Sequence, residues 1–315
     1  MKQRTIKEPF SIQGKGLHSG LKTTITFCPA PVDFGYKIKR TDLAEKPVIA
    51  ASAENVKHTQ RCTLLSVDGV EVATIEHALA ALYGCEIDNC LIEIDSPEFP
   101  ILDGSSIEYV QQIQRVGFKA QSRERIYFEV EQNIEYVDAE TGSYLMLMPA
   151  DSFGVNVQIA FNSEVLSVQH ASLESLSDFK TEVSMCRTFV FIKEIENLLK
   201  HGLIKGGDLD NAIVIYDQLI NQQEIDRLAD IMGIERKNID TMGYVMNNPL
   251  VFPNEPARHK LLDVIGDVAL VGRFIKGQII ANRPGHRVNN LFARKIVEQM
   301  QLEPIFEMQG KRVLV

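Results

Sequence analysis

Residues 254–272 read NEPARHKLLDVIGDVALVG. An α-helix turns about 100° per residue, so His259, Asp263 and Asp267, each four apart, form one slanting stripe. Leu261, Leu262, Val264, Ile265, Val268 and Ala269 cover most of the remaining circumference, so the helix is expected to be buried on most sides. Asn254 is a candidate cap, Pro256 suits a first turn, and Gly272 is a plausible stop. An unpaired charge in an apolar interior is very costly, so these carboxylates need partners. Two readings are open at this point. One is a salt bridge to an Arg or Lys; the other is a metal, for which His and Asp one turn apart are well-placed ligands.

The chain has 315 residues, enough for one large domain or two ordinary ones. Apolar residues make up 45% of it, which supports a sizeable core. No run approaches the ~18 apolar residues of a membrane span, and the N-terminal stretch MKQRTIKEPFSIQGKG has no apolar signal-peptide region. The five cysteines form no CxxC pair, which disfavours a disulfide scaffold or thiolate zinc site and suits a reducing cytoplasm. The net charge of −9 argues against nucleic acid as a partner. An anionic ligand would need local cations to overcome that field.

Strand and turn signals dominate the first third. LKTTITFCPAP (21–31) alternates, YKIKR (36–40) is a short strand, and Asp68-Gly69 marks a turn between TLLSV and VEVAT. Thr74 is a candidate cap for a helix from Ile75 to about Tyr83. CLIEID (90–95) reads as a strand and IEYVQQIQRVG (107–117) as a helix. The polar stretch KAQSRER (119–125) reads as a linker. A second run of strands and helices follows. The expected class is therefore α+β in two halves, 1–120 and 121–315, each with strands first and helices later. That shared order hints at a duplication that the sequences do not display.

TIEHALAAL (74–82) places Glu76 and His77 in the first turn of a helix. Alone, the pair reads as a solvated helix start with Glu76 near the positive end of the dipole. Taken with HKLLD, the two His and one Asp make a three-ligand zinc site with an open fourth position. Glu76 beside ligand His77 is then the carboxylate a metal hydrolase needs to take a proton from water. Because EH lies in the first half and HKLLD in the second, the metal is expected between them. In NRPGHRVNN (282–290), His286 follows a strand in a predicted loop; by itself it reads as a surface histidine. An amide hydrolase also needs an acid for the leaving nitrogen, and His286 held by Asp267 fits that role.

Six motifs together resemble the UDP-3-O-acyl-N-acetylglucosamine deacetylase family, zinc enzymes of lipid A biosynthesis. They are GKGLHSG (14–20), TIEHALAAL (74–82), PILDGSS (100–106), RTF (187–189), RHKLLDVIGD (258–267) and GH followed by NN (285–290). They run through nearly the whole chain in the family's order. The resemblance implies a two-domain, two-layer sandwich, each domain a sheet packed on helices, with one zinc ion at the interface on His77, His259 and Asp263. It implies Glu76 as general base, His286 as general acid, Asp267 as its partner, and Thr188 as oxyanion stabiliser. It also implies substrate contacts from Lys260, Phe189, Arg283, Leu17 and His18, the substrate being an acylated UDP-amino sugar. His/His/Asp ligation would suit iron as well as zinc.

The family carries a βαβ insert that forms a passage for the acyl chain, expected here near 187–217. Ile195, Leu198, Leu199, Leu203 and Ile204 are its candidate lining, with ordinary core packing as the other reading. Residues 218–254 make a longer connection than many relatives have, and EIDRLADIM within it suggests an appended helix. Some members are fused to a hydroxyacyl-carrier-protein dehydratase, which makes that enzyme a candidate partner in one chain. The competing classes are a zinc amidohydrolase for another N-acyl substrate, a non-hydrolytic zinc module, and a binding module whose buried His and Asp form only a salt bridge.

Overall fold

The structure is a computed structural model. It describes residues 1–302 and, beyond them, only the backbone of Glu307–Met308 and Lys311–Arg312. The expected end of the second half at residue 315 lies outside the described residues.

The first half runs β1 (Lys2–Ile6), β2 (Phe10–Lys15), β3 (Lys22–Pro29), β4 (Tyr36–Arg40), β5 (Val48–Ala50), β6 (Val56–His58), β7 (Leu64–Val67) and β8 (Val70–Val72). Helix α1 (Glu76–Gly84), strand β9 (Cys90–Ile94) and helix α2 (Ile107–Val116) follow. The second half has strands β10 (Phe118–Glu124), β11 (Tyr127–Glu129), β12 (Ile134–Asp138), β13 (Ser143–Pro149), β14 (Gly154–Ala160) and β15 (Val168–Leu173). After these come helix α3 (Phe179–Glu182), β16 (Phe189–Phe191), α4 (Ile192–Lys200), β17 (Ile213–Tyr216), α5 (Gln222–Met232) and β18 (Gly243–Val245). The opening stretch is α6 (Glu255–Val268), followed by β19 (Phe274–Asn282) and α7 (His286–Leu302). The fold is α+β, as expected.

Two five-membered paths of strands share one topology. The orders are β2-β3-β9-β4-β5 and β12-β13-β19-β14-β15, with β11 added beside β19. In each, the strand latest in sequence is central, antiparallel to the second strand and parallel to the third. In each, one helix precedes that central strand and another follows it, α1 and α2 around β9, α6 and α7 around β19. The repeated order of elements is thus accompanied by a repeated pairing pattern. Alternation supplies the buried faces: Thr23, Ile25 and Phe27 on β3, and Cys90, Ile92 and Ile94 on β9. Helix α6 packs on β14 and β15, α7 on β12 and β13, and α1 on α6.

Three local expectations change. Residues 119–125 are mostly strand, since β10 pairs antiparallel with β1. This two-stranded ribbon is largely exposed, which explains its polar composition. Arg125 is buried, hydrogen-bonds Glu86 and Asp88, and lies 3.8 Å over the ring of Phe274, so it clamps the halves together. Thr74 does not cap α1: its φ is 58°, and its hydroxyl donates to Glu98 Oε1 at 3.0 Å. Asn254 stands before α6 without a capping bond, its amide donating to the His170 carbonyl. Gly272, in the left-handed region at φ 79°, ends the 3₁₀ turn that continues α6.

The 187–217 segment does form a βαβ unit, β16 and β17 being parallel around α4. The 218–254 extension adds β18 to that sheet and places α5 over it. Ile225 and Leu228 of α5 join Ile192, Ile195, Leu198, Ile204 and Tyr216 in an apolar cluster separate from the main core.

Candidate active site

Helix α1 opens at Glu76, and its first turn faces α6. The approach is possible because residue 266 is glycine: a Cβ there would stand 2.1 Å from the Glu76 carbonyl oxygen. This crossing sets Glu76 and His77 against the stripe of α6.

The expected ligand set comes together. One ligand atom from each of His77, His259 and Asp263 lies within 4.8 Å of the others, and all three residues are buried. His259 Nε2 and His77 Nε2 stand 3.5 and 3.8 Å from Asp263 Oδ1. His259 Nδ1 is 3.0 Å from the Cys186 carbonyl, so that nitrogen donates and leaves a lone pair on Nε2. Burial, reinforced by His259, lowers the pKa of His77 to about 3, which keeps it a neutral lone-pair donor. Burial also lowers that of His259. For Asp263, burial opposes ionisation, but Lys260 and the neighbouring imidazoles outweigh it and hold the carboxyl low. Lys260 binds Oδ2 at 2.8 Å, whereas Oδ1 is buried with no hydrogen-bond partner. An ionised oxygen left unpartnered beside two imidazole lone pairs fits a divalent cation.

Asp267 turns to another partner. Its Oδ2 accepts from His286 Nδ1 and from Asn289, both at 2.9 Å, and its Oδ1 accepts from the Thr63 hydroxyl at 2.5 Å. His286 is the first residue of α7, not part of a loop as expected, and it is buried. Burial alone would lower its pKa, but the carboxylates of Asp267, Asp263 and Glu76 prevail and raise it to about 9. Glu76 Oε1 lies 3.9 Å from His286 Nε2, and Glu76 Oε2 accepts from the Thr63 amide at 3.1 Å. Burial raises the Glu76 pKa to about 7, assisted by Asp267 and Asp263 and opposed by His286. Glu76, its pKa raised toward neutrality, and His286, its pKa raised above the ordinary value, thus flank the His77–His259–Asp263 group.

Beside this group lies a cleft of about 390 Å³. Glu76, His77, His259, Asp263 and His286 line it, together with Leu17, Thr188, Phe189, Lys260 and Arg283. Thr188 is fixed by backbone bonds to the Gly104 carbonyl and from the Ile213 amide, both 2.9 Å. Arg283 has φ 52°, held by its amide to Gln158 and by Ser143 to its carbonyl. Lys260 Nζ stands 5.3 Å from the centre of the Phe189 ring. His18 and Asp267 do not line the cleft; Asp267 supports His286 from behind, and His18 is buried with its amide on Glu98. Arg61 and Arg287 line it as well, two cations that sequence reasoning missed. It also missed Thr63, and it did not give Asn289 a role.

None of the five candidate passage residues lines the cleft. Ile195, Leu198 and Ile204 belong to the insert's apolar cluster, with Leu199 and Leu203 packed on it. Leu17 touches both, lining the cleft and packing on that cluster.

The chain matches the sequence profile of the family described as UDP-3-O-acyl N-acetylglycosamine deacetylase over residues 3–244 and 238–298. It is 56% identical to a Porphyromonas gingivalis protein named "Bifunctional enzyme LpxC/FabZ", over 95% of this chain and 65% of that one. A Bacteroides thetaiotaomicron protein of the same name is 53% identical over 97% of this chain and 66% of its own length. A Myxococcus xanthus protein named "UDP-3-O-acyl-N-acetylglucosamine deacetylase" is 38% identical over 94% of this chain and 86% of its own. The chain therefore spans just under two thirds of the relatives named as bifunctional and most of the one named as a deacetylase. It belongs to the UDP-3-O-acyl-N-acetylglycosamine deacetylase family.

Proposed function

We propose that this chain removes the N-acetyl group of a UDP-3-O-acyl-N-acetylglucosamine, releasing acetate and the free 2-amino sugar nucleotide, as a step of lipid A biosynthesis. One observation carries the reading: the unpartnered Asp263 oxygen lies between two imidazoles, in a cleft that also holds Glu76 and an Asp267-bound His286. His77, His259 and Asp263 would hold one zinc ion. Bound there, it supplies Lewis-acid activation of water and of the amide carbonyl.

The chain's own residues do the proton work. Glu76 takes a proton from the attacking water, and a pKa of about 7 matches that task near neutrality. The Thr188 hydroxyl donates to the developing oxyanion. His286, protonated at neutral pH and oriented through Nδ1 by Asp267, gives its Nε2 proton to the leaving nitrogen. Lys260 and Arg283 supply the local positive field for the diphosphate, and Phe189 packs beside Lys260. His18 supports the Leu17 loop from behind. Leu17, at once in the cleft wall and on the insert's apolar cluster, supports an acyl chain running toward that cluster.

The same reading treats residues 1–120 and 121–315 as two domains with the site between them. Its compartment is the reducing cytoplasm, supported by five free thiols. No described helix is long and apolar enough to cross a membrane. Relatives named as bifunctional, about a third of whose own length this chain does not match, support a second enzyme segment as the partner in one chain.

The test is acetate release from that substrate with metal removed and then restored with about one equivalent of zinc. Release that stops and returns supports reaction and metal together. No release from folded, zinc-loaded protein would sink the substrate assignment. Glu76→Ala should keep metal and fold yet lose most turnover.

A further inference from the structure

Behind the cleft wall, Thr63 reaches both proton-handling groups. Its side chain is fully buried, so it meets no substrate. It stands just before β7, after Arg61 and Cys62. Its amide donates to Glu76 Oε2 at 3.1 Å, and its hydroxyl donates to Asp267 Oδ1 at 2.5 Å. The same hydroxyl lies 3.3 Å from His286 Nδ1. One residue thus touches the carboxylate assigned as base and the carboxylate that aims the imidazole assigned as acid.

We propose that Thr63 is a positioning residue that fixes Glu76 and the Asp267–His286 pair in one mutual geometry. This rests on the deacetylase reading of the cleft. The physical case is directional. Asp267 Oδ2 is occupied by His286 and Asn289, so the rotation of its carboxylate plane is decided by what binds Oδ1. Thr63 is the partner there. With the hydroxyl gone, the plane can turn, and Nδ1 of His286 turns with it. The amide hydrogen bond to Glu76 comes from the same residue, so the two carboxylates are referenced to one buried threonine. Productive proton transfer tolerates little misplacement, which makes such a shared anchor matter for turnover rather than for substrate affinity.

The experiment uses the full chain loaded with zinc. Thr63→Val keeps the shape and the amide but removes the hydroxyl. It is expected to lower kcat about 10- to 100-fold, the usual range for residues that orient a metal site's functional groups. KM is expected to stay within about twofold and zinc at about one equivalent, since the lost interaction acts on the transition state. Thr63→Ser restores the hydroxyl and should return kcat to within about threefold of the parent. Unchanged kcat in Thr63→Val overturns the proposal, as does failure of Thr63→Ser to rescue.

A second readout does not depend on the reaction. The Nδ1 proton of His286 should give a downfield imidazole resonance, assigned by its loss in His286→Ala. It is expected to move in Thr63→Val and return in Thr63→Ser. A resonance that stays put overturns the positioning role, even in a protein that releases no acetate. Absence of acetate release from the parent chain, with the resonance moving as expected, overturns the substrate reading alone.

Discussion

Gly266 meets the Glu76 carbonyl so closely that a Cβ on residue 266 would stand 2.1 Å from that oxygen. The contact is backbone against backbone, and neither side can swing away. Gly266→Ala must therefore push α6 off α1. The expected cost is about 1–3 kcal/mol, as for other overpacked interiors. Zinc content should fall too, because His77 and its partners His259 and Asp263 sit on opposite sides of that contact. Thermal melting and metal analysis check this, with Gly243→Ala, where a Cβ meets open space, as the neutral control. Unchanged metal content in Gly266→Ala would show that the crossing does not set the ligand geometry.

Metal loss should follow from any single ligand change. With the proposed ligand set, His259→Ala or Asp263→Ala would leave two ligands, and such sites hold zinc poorly. Purified variants are expected to carry well under one equivalent and to release no acetate. Asp267→Asn is the informative contrast, because Asp267 faces His286 rather than the ligand cluster. It should keep zinc near one equivalent. Zinc lost with Asp267→Asn would move this residue into the ligand set.

The alkaline limb of the rate should belong to His286. Its pKa in the folded chain, about 9, stands above the ordinary value of 6.5. The protonated form therefore favours the folded state. That contribution is complete below about pH 6.5 and disappears as pH rises through about 9. The acid needed for the leaving nitrogen vanishes over the same upper range. Asp267 is foremost among the carboxylates that raise this pKa. In Asp267→Asn the limb should move down by about one unit or more, along with a lower maximum rate. A pH profile of kcat in both proteins decides it; a limb that does not move between them would assign it to another group.

The stripe of α6 was legible because helical spacing is local information: His259, Asp263 and Asp267 declare one face within nine residues, though not which of them would hold a metal. Glu76 and His77, in the first turn of α1, read alone as a solvated helix start and stood out only beside HKLLD and the family's motifs. Thr63 was not, since its partners lie 13, 204 and 223 residues away and RCTLL reads only as the start of a strand. Arg61 and Arg287 were missed because nothing adjacent to them distinguishes a cleft arginine from a solvated one. The β10 ribbon hid as a linker because both its faces are mostly wet, which removes the apolar alternation that marks a strand. The paired topology of the two halves lies in strand order and direction, and neither is written in side-chain identity.

Arg187 and Glu255 tie the chain just before Thr188 to the start of α6. Arg187 is buried and makes two bonds to Glu255, Nε to Oε1 at 2.8 Å and a terminal nitrogen to Oε2 at 3.1 Å. Its remaining donors reach the Asn248 and Pro249 carbonyls. Glu255, in the first turn of α6, also accepts from the Arg187 and Val251 amides. The pair thus joins the residue before Thr188, the end of the 218–254 extension and the start of the helix that carries His259. Removing one partner strands the other as a buried charge, so Arg187→Ala should cost about 3–5 kcal/mol. Arg187→Met with Glu255→Gln removes both charges and keeps volume, and should recover part of that loss. Denaturant unfolding of the three proteins measures the difference. If the double variant is as unstable as Arg187→Ala, the loss comes from the carbonyl bonds of Arg187 rather than from the stranded Glu255. Turnover separates position from stability. Well below its melting temperature, the double variant should bind zinc normally yet show lower kcat, because Thr188 has lost its tether to α6.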